Sequence, residues 1–550
     1  MLEGVVPFPP EFAKKYRAKG YWEDRSLRDQ FKDVFDRHAD RVAVIDGDIR
    51  ATYRDIDTRS ERLALNLLDL GLRPLDRVVV LLPNVIEFVY LYFALQKIGA
   101  IPICALAVHR YREASQFTEL AGATACFAPE RMGDFEFAPM ISRLRNENDC
   151  LKFGVILGEA ADGFSSLKDL LIREPESTPA DLGAIEIDPT DPAVFQLSGG
   201  TTGVPKLIPR THNDYFLNSN LAVSVTEVTA DSCLLLVLPI GHNLPLACPG
   251  LQGFLIQGGR VVLSTDPRPP SVFSLTEEHG VSHIHCVPAL LIRWINDPTI
   301  GEYDLSSLRM IQSGGQRMQP EIRLKTRELI PSVFVQENFG MSEGTLMFVR
   351  TDDPEDVILE TVGLPVCEDD EVRLIDEEGN DVAPGEVGEL CVRGPYTLRG
   401  YFGAPEHNAR VFTADGFYCS GDLMRQHASG RYMVEGRKKD VINRGGEKIS
   451  AEEIENLILQ FPPVQNVACV AMPDPVLGER MCACVIPKKG QICEFEPLIA
   501  FLTELEFAKH KLPERLEIMT EFPLSNFGKV AKNKLVEMIS AKLDAEQNAG

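Results

Sequence analysis

The chain has 550 residues, of which 44% are hydrophobic and 25% charged, and its formal net charge is −25 at pH 7. This length exceeds one hydrophobic core and implies two or more domains with room for an enclosed site, and the ordinary apolar fraction excludes global disorder. The acidic balance excludes nonspecific binding to nucleic acid or an anionic membrane, so an anionic substrate depends on a local cluster of cations.

From about residue 27 to 263, short apolar runs alternate with helical periodicity. RVAVIDG reads as a strand, TYRDIDTRSERLALNLLDLGL as a helix ending at Gly71 as C-cap, DRVVVLLPN as a strand and IEFVYLYFALQKIGAIPICAL as the next helical segment. That order implies α/β architecture with a largely parallel sheet. The run DPAVFQ is a short buried strand that opens onto LSGGTTGVPK. There Ser198, Thr201 and Thr202 offer hydroxyls, and Lys206 ends the segment with a cation. Gly199, Gly200 and Gly203 let backbone N–H groups approach phosphate oxygens closely. The segment is a polyphosphate cradle unlike the P-loop, whose lysine is followed by Ser or Thr; here Leu207 follows. Taken alone, the same composition also fits a flexible surface loop.

Arg210 and His212 read as residues at the start of the following helix. The apolar run CLLLVLPI then delivers Gly241, His242 and Asn243 to the exit of a strand, where α/β sheets bind ligands, although a single histidine there also fits a structural role. A second alternating set, VSHIHCVPALLIRWI and LRMIQSGGQRM, ends in a strand that enters a turn at Gly314 and Gly315. SVFV leads into QENFGMSEG, with Glu337 expected at the strand exit and Glu343 beyond the glycine turn. Glu343 suits a Mg²⁺ that bridges phosphates or, equally, a helix N-terminus. Phe339 suits stacking on a base or core packing.

Beyond Pro365 the texture changes to short strands, EVRLIDEEGN, GELCVRGP and GRYMVEGR, which imply a small β-rich subdomain over about 365–436. YCSGDLM places Asp422 where a carboxylate accepts hydrogen bonds from both hydroxyls of a ribose, and GRKKD supplies Arg437. After Arg437 acidic and basic residues nearly balance, so the excess acid lies on the larger part. The expected division is residues 1–438 as a large core and 439–550 as a smaller α+β C-terminal domain. Lys529, behind Gly528 in PLSNFGKVAKNKL, fits solvated surface when read by itself. Thirteen cysteines without a CxxC pair imply a reducing compartment. The opening MLEGVVPFPPEF lacks a basic, apolar leader, so a soluble cytoplasmic protein with no membrane partner is expected.

In this order, LSGGTTGVPK, LPIGHN, SGGQRM, ENFGMSEG, GELCVRGP, YCSGDLM, GRKKDVINRGGEKIS and PLSNFGKV resemble the adenylate-forming superfamily of acyl-CoA synthetases and nonribosomal adenylation domains. The opening MLEGVVPFPPEFAKKYRAKGYW, GHN with LPLACPG after it, and INRGGEKISAEEIEN resemble the stand-alone aryl-acid AMP ligases, which load 2,3-dihydroxybenzoate or salicylate for siderophore assembly. The resemblance runs essentially from end to end. It implies a fold of a large N-terminal domain of mixed, mostly parallel sheets, a small β-rich subdomain and a mobile C-terminal domain.

The resemblance also implies ATP and Mg²⁺ as cofactors, with a small aromatic carboxylic acid and a pantetheine thiol, of CoA or of a carrier protein in trans, as partners. In that reading Lys529 bridges the aryl carboxylate and the α-phosphate, His242 adjoins both, Glu343 holds Mg²⁺, and the Ser198 to Lys206 loop covers the β- and γ-phosphates. Gly314, Gly315, Phe339, Gly340 and Met341 frame adenine, while Asp422 and Arg437 fix the ribose. Lys439 is the hinge about which the C-terminal domain turns, and Arg444, Gly445 and Gly446 belong to the thiol tunnel.

The acid itself is addressed by His242, Asn243, Cys248, Gly315, Asn338 and Leu346. Asn243 matches the residue that hydrogen-bonds a hydroxyl ortho to the carboxylate. Cys248 and Leu346 match salicylate activators, where dihydroxybenzoate enzymes have Ser and Val, so salicylate is favoured. Two departures, Leu244 in place of Tyr and Asn338 in place of Val, keep a substituted or amino-benzoate open. A catalytically inactive nucleotide-binding scaffold is the reading from another class; it would be expected to have lost Lys529, Glu343 or Asp422, and all three are present.

Overall fold

The computed structural model describes the chain apart from residues 160–161, 199–205, 316, 445–446, 475–476, 506–510, 525–528 and 550, with only the backbone described at 439, 443, 447–448 and 547–549. The described residues form two compact units, one of 1–358, 363–371 and 392–418, the other of 359–362, 372–391 and 419–550. The β-rich strands thus pack with the C-terminal residues, so these units and a hinge at Lys439 divide the chain differently.

The first unit contains two large sheets. One has nine strands in the order Leu364–Pro365, Gly344–Phe348, Phe334–Met341, Met310–Gly314, His283–Cys286, Cys233–Leu236, Arg260–Leu263, Val42–Asp46 and Ile49–Thr52. Its centre is parallel and each edge ends in antiparallel pairing. The other has seven strands, with Pro192–Leu197 between parallel Ile101–Cys104 and antiparallel Leu207–Thr211. The short apolar runs are near-continuous because these strands are buried on both faces. Val78 and Val80 enter one apolar cluster while Val79 enters another.

The larger cluster joins both sheets through helices Tyr53–Leu70 and Ile86–Ile98. Thr52 and Asp55 cap the first of these reciprocally, and the helix ends at Gly71, whose φ of 113° is the left-handed conformation expected of a glycine C-cap. Asn84, at the end of DRVVVLLPN, ties the nine-stranded sheet's outgoing chain in place. Its Nδ2 donates to the carbonyls of Leu238 at 3.0 Å and Ser264 at 2.9 Å, and its Oδ1 accepts from Ile240 N–H at 2.8 Å.

In the second unit, Glu371–Ile375, Val387–Arg393, Tyr418–Gln426 and Tyr432–Arg437 form a four-stranded sheet. A five-stranded sheet follows, centred on the antiparallel pair Val464–Asp474 and Gly478–Pro487. Side-chain alternation sorts its two faces. Val467, Cys469, Met481 and Ala483 pack with helices Ala451–Ile458 and Phe495–Glu504, whereas Ala468, Val470, Cys482 and Cys484 pack with helix Lys532–Ala549. All thirteen cysteines are free thiols. Among the described residues no helix is long and apolar enough to cross a membrane.

Candidate active site

The glycine-rich segment is the connection between two adjacent antiparallel strands, Pro192–Leu197 and Leu207–Thr211. Its neck is closed twice: Ser198 N–H donates to the Lys206 carbonyl at 3.0 Å, and Lys206 N–H donates to Ser198 Oγ at 3.0 Å. The sites expected at Gly199, Gly200, Thr201, Thr202 and Gly203 lie outside the described residues, as do Gly445 and Gly446.

Lys206 stands in a cationic neighbourhood that the acidic composition made necessary. Burial lowers its affinity for a proton, Arg410 lowers it further and Glu343 opposes both. Burial, with Lys206 and Arg410 adding to it, pushes His407 down to about 4. Glu343 follows the strand Phe334–Met341, its carbonyl accepts from Leu398 N–H at 2.7 Å, and Tyr401 Oη donates to its Oε1 at 2.7 Å. Burial and this carboxylate hold the Tyr401 phenol protonated. A carboxylate beside a phenol and Lys206, with Arg410 also near that lysine, suits a site for a metal-bound polyphosphate, since fixed cations offset phosphate charge and Glu343 offers hard oxygen to Mg²⁺.

The two carboxylates of QENFGMSEG part company. Glu337 does not lie at a strand exit: the strand continues through it to Met341. It is 2% exposed, accepts from Met318 N–H at 3.0 Å and pairs with the buried Arg323. It therefore ties the strand to the chain at Met318 and to helix Pro320–Leu329. Phe339 is half-buried and Gly340 exposed on the same strand, and Gly314 ends the neighbouring parallel strand, followed by Gly315 with φ of 87°.

Two of the residues expected to address the acid, Asn243 and Cys248, bond side chains of helix His212–Val223. His242 is the N-cap of the short helix Asn243–Ala247, with its carbonyl accepting from Leu246 N–H at 3.1 Å. Asn243 is buried, and its Oδ1 accepts from Tyr215 Oη at 3.0 Å while its Nδ2 donates to Cys248 Sγ at 3.2 Å. Asn218 Nδ2 donates to the same sulfur at 3.3 Å. Burial pushes the Cys248 thiol up to about 11, so it stays protonated near neutral pH. Cys248, Leu346 and the partly buried Leu244 share one apolar cluster, which brings the specificity candidates together.

Asn338 pairs in register with Gly314, and a Cβ at Gly314 would lie 2.2 Å from Asn338 Oδ1, so a larger residue there would force the amide to move. The amide is 8% exposed, and its Nδ2 has no hydrogen-bond partner among the described residues. Such a buried donor costs stability unless something accepts from it.

Tyr215, Asn218, Tyr401, His407 and Arg410 are not singled out by the sequence. The first two lie on the helix HNDYFLNSNLAV, in which polar and apolar residues are mixed without a clear face. Local pattern gives no reason to bury the polar ones, whereas the structure buries Tyr215, Asn218 and Ser219 completely.

The second unit carries the remaining expected residues. Asp422 and Arg437 face each other on adjacent antiparallel strands, with Arg437 Nε 2.8 Å from Asp422 Oδ1. Helix Ala451–Ile458 is capped by Ser450, whose Oγ also donates to the Glu435 carbonyl at 2.7 Å. Arg444 bonds the carboxylate of Glu514. Lys529 adjoins the isolated bridge between Leu524 and Val530, and the nearby Lys532 makes a 2.6 Å ion pair with Glu455.

Comparison with known proteins places the whole chain in a family. Residues 31–402 match the AMP-binding enzyme family, and residues 453–529 match the AMP-binding enzyme C-terminal domain. The chain is 44% identical over 549 residues to a salicylyl-CoA synthase / salicylate adenylyltransferase of a Streptomyces species, with 99% of each chain covered. It is 42% identical to the 2,3-dihydroxybenzoate-AMP ligase of Bacillus subtilis, again over 99% of both. Among solved structures, apo MbtA of Mycobacterium smegmatis is 40% identical with a TM-score of 0.75, covering 97% of this chain and 98% of that one. Full-length identity at this level means that the chain belongs to the AMP-binding enzymes, the adenylate-forming superfamily, alongside its aryl-acid ligases.

Proposed function

We propose that the protein activates an ortho-hydroxy aromatic carboxylic acid, with salicylate preferred, and passes it to the pantetheine thiol of CoA or of a carrier protein. The observation that carries this reading is the buried chain Tyr215–Asn243–Cys248 set against Leu346 in one apolar cluster. A buried amide bonded to Cys248, within the cluster that holds Leu244 and Leu346, suits a flat ring with one hydroxyl and disfavours an alkyl chain. Relatives named for salicylate and for 2,3-dihydroxybenzoate support the same class.

In the first half-reaction a carboxylate oxygen attacks the α-phosphorus of ATP, the bond to the β-phosphate breaks, and pyrophosphate leaves. Two anions must approach, and charge builds on phosphoryl oxygens, so converging cations lower the barrier. Lys206 and the loop that begins at Ser198 hold the departing phosphates, Glu343 is the residue to hold Mg²⁺, and the ion supplies charge neutralisation when bound. His242 and Lys529 steer the acid carboxylate and the α-phosphate, Asp422 and Arg437 take the ribose, and Gly314, Gly315, Phe339, Gly340 and Met341 border the base. In the second half-reaction the thiolate attacks the acyl carbon and AMP leaves, after a turn about Lys439 that exchanges Lys529 for the Arg444 segment.

An acid panel in ATP–pyrophosphate exchange tests the proposal. Salicylate is expected to exchange fastest, and exchange with fatty acids but not with hydroxybenzoates overturns it. Cys248→Ser combined with Leu346→Val enlarges the pocket and supplies a hydroxyl, so the ratio of kcat/KM for 2,3-dihydroxybenzoate over salicylate is expected to rise by about tenfold or more.

The unpartnered Nδ2 of Asn338 favours a second reading, an acid whose ring carries a further acceptor group. Asn338→Val is expected to retain salicylate turnover. Loss of salicylate activity with gain on another acid assigns the pocket to that acid instead.

A further inference from the structure

Arg210 is completely buried, yet none of the roles above uses it. Its guanidinium spends its donors in four directions. Nε donates to Asp214 Oδ1 at 2.8 Å, Nη1 to the Ser342 carbonyl at 2.9 Å, and Nη2 to both the Tyr396 carbonyl at 3.1 Å and Asn218 Oδ1 at 3.3 Å. Its plane also stands 5.0 Å from the centre of the Tyr215 ring. A lone buried ion pair with Asp214 would account for one of these contacts and leave the rest unexplained.

Apart from that with Asp214, each contact ends on a neighbour of a site residue. Ser342 immediately precedes Glu343. Asn218 passes its own amide to Cys248 Sγ, and Tyr215 passes its hydroxyl to Asn243. Tyr396, whose carbonyl Arg210 binds, accepts the Leu346 N–H on its hydroxyl at 3.0 Å. A planar fork with five fixed donors holds several acceptors in one geometry, which the single ammonium of lysine cannot do.

We propose that Arg210 is a positioning residue that sets the carboxylate of Glu343 and the acid pocket of Asn243, Cys248 and Leu346 in a common register. The acceptors that Arg210 joins come from segments remote from it in sequence, Ser342 and Tyr396 lying 132 and 186 residues away. Displacement of one half by a fraction of an ångström leaves each subsite intact but misaligns acid against phosphate. The inference rests on the acid-activation reading for its kinetic consequence, but its structural content stands apart from it.

Arg210→Lys keeps a cation for Asp214 and removes the fork. Its kcat/KM for salicylate in pyrophosphate exchange is expected to fall by about 10²-fold, the cost of a misplaced reacting group. The Mg²⁺ concentration for half-maximal rate should rise with it. Asp214→Asn breaks the ion pair but leaves the fork, and is expected to lower thermal stability while its Mg²⁺ dependence and acid selectivity stay those of the parent. Asn218→Ala removes only the pocket arm, so it should raise KM for salicylate without changing the Mg²⁺ dependence.

Amide hydrogen exchange on the ligand-free full chain supplies a readout independent of any acid. In Arg210→Lys the segments 243–248 and 342–348 should lose protection together. Equal kinetic effects of Arg210→Lys and Asp214→Asn, or unchanged protection in either segment, overturn the inference. Joint loss of protection in a protein that activates no hydroxybenzoate sustains the positioning role and removes the substrate reading instead.

Discussion

Replacing Lys529 by alanine is expected to reduce aryl-adenylate formation by at least about 10²- to 10³-fold, the scale on which a single preorganised charge or donor acts in a transition state. Thioester formation from supplied aryl-adenylate should survive. The first step brings a carboxylate against a triphosphate, and neutralisation there must be stronger in the transition state than in the ground state to accelerate it. The second step expels AMP from a neutral acyl centre and makes no such demand. The structure holds Lys529 between two anchors: the bridge of Leu524 with Val530, and the 2.6 Å ion pair of Lys532 with Glu455, whose carboxylate also accepts Cys469 N–H at 2.6 Å. Pyrophosphate exchange measures the first step and single-turnover transfer to CoA or a carrier protein the second. Equal loss of both would contradict the assignment.

Glu337 and Glu343, neighbours in one motif, should fail in opposite ways. Glu337→Ala leaves the buried Arg323 without its carboxylate, and uncompensated burial of that charge is expected to cost about 3–5 kcal/mol of stability. The Met318 N–H loses its acceptor at the same time. Glu343→Gln keeps the shape and an acceptor for Tyr401 but removes the negative charge that suits Mg²⁺, so exchange should fall by about 10²-fold with the melting temperature nearly unchanged. Thermal melts beside exchange rates at several Mg²⁺ concentrations separate the two. A stable but inactive Glu337→Ala, or an unfolded Glu343→Gln, reverses the assignment.

Much of the architecture was legible in the chain because it rests on local rules. Apolar runs without alternation mark strands covered on both faces, as Val78 to Val80 show by supplying two clusters. The Thr52 box and Gly71 bound a helix by backbone chemistry alone. The segment from Ser198 to Lys206 announced a tight connection rich in donors, and its neck is closed by the pair at its two ends. Glu337 was misplaced because a strand that carries polar residues into its last turns looks, by composition, as though it has already ended. In fact Asn338 to Met341 pair with residues 344–348.

What the sequence determined by itself is therefore the alternation of strands and helices and, through the ordered motifs, the superfamily. Only the tertiary structure decided which polar residues turn inward. Arg210 lies on a strand and Tyr215 and Asn218 on the helix after it, where local pattern gives no reason to bury them; Asn243 and Cys248 meet the last two from 28 and 30 residues on, and the carbonyls of Ser342 and Tyr396 reach Arg210 from 132 and 186 residues away. Local pattern reports where water is excluded on average. It cannot report that a carbonyl of Ser342 or a thiol of Cys248 waits inside to satisfy a buried donor, because that compensation exists only once distant strands have packed.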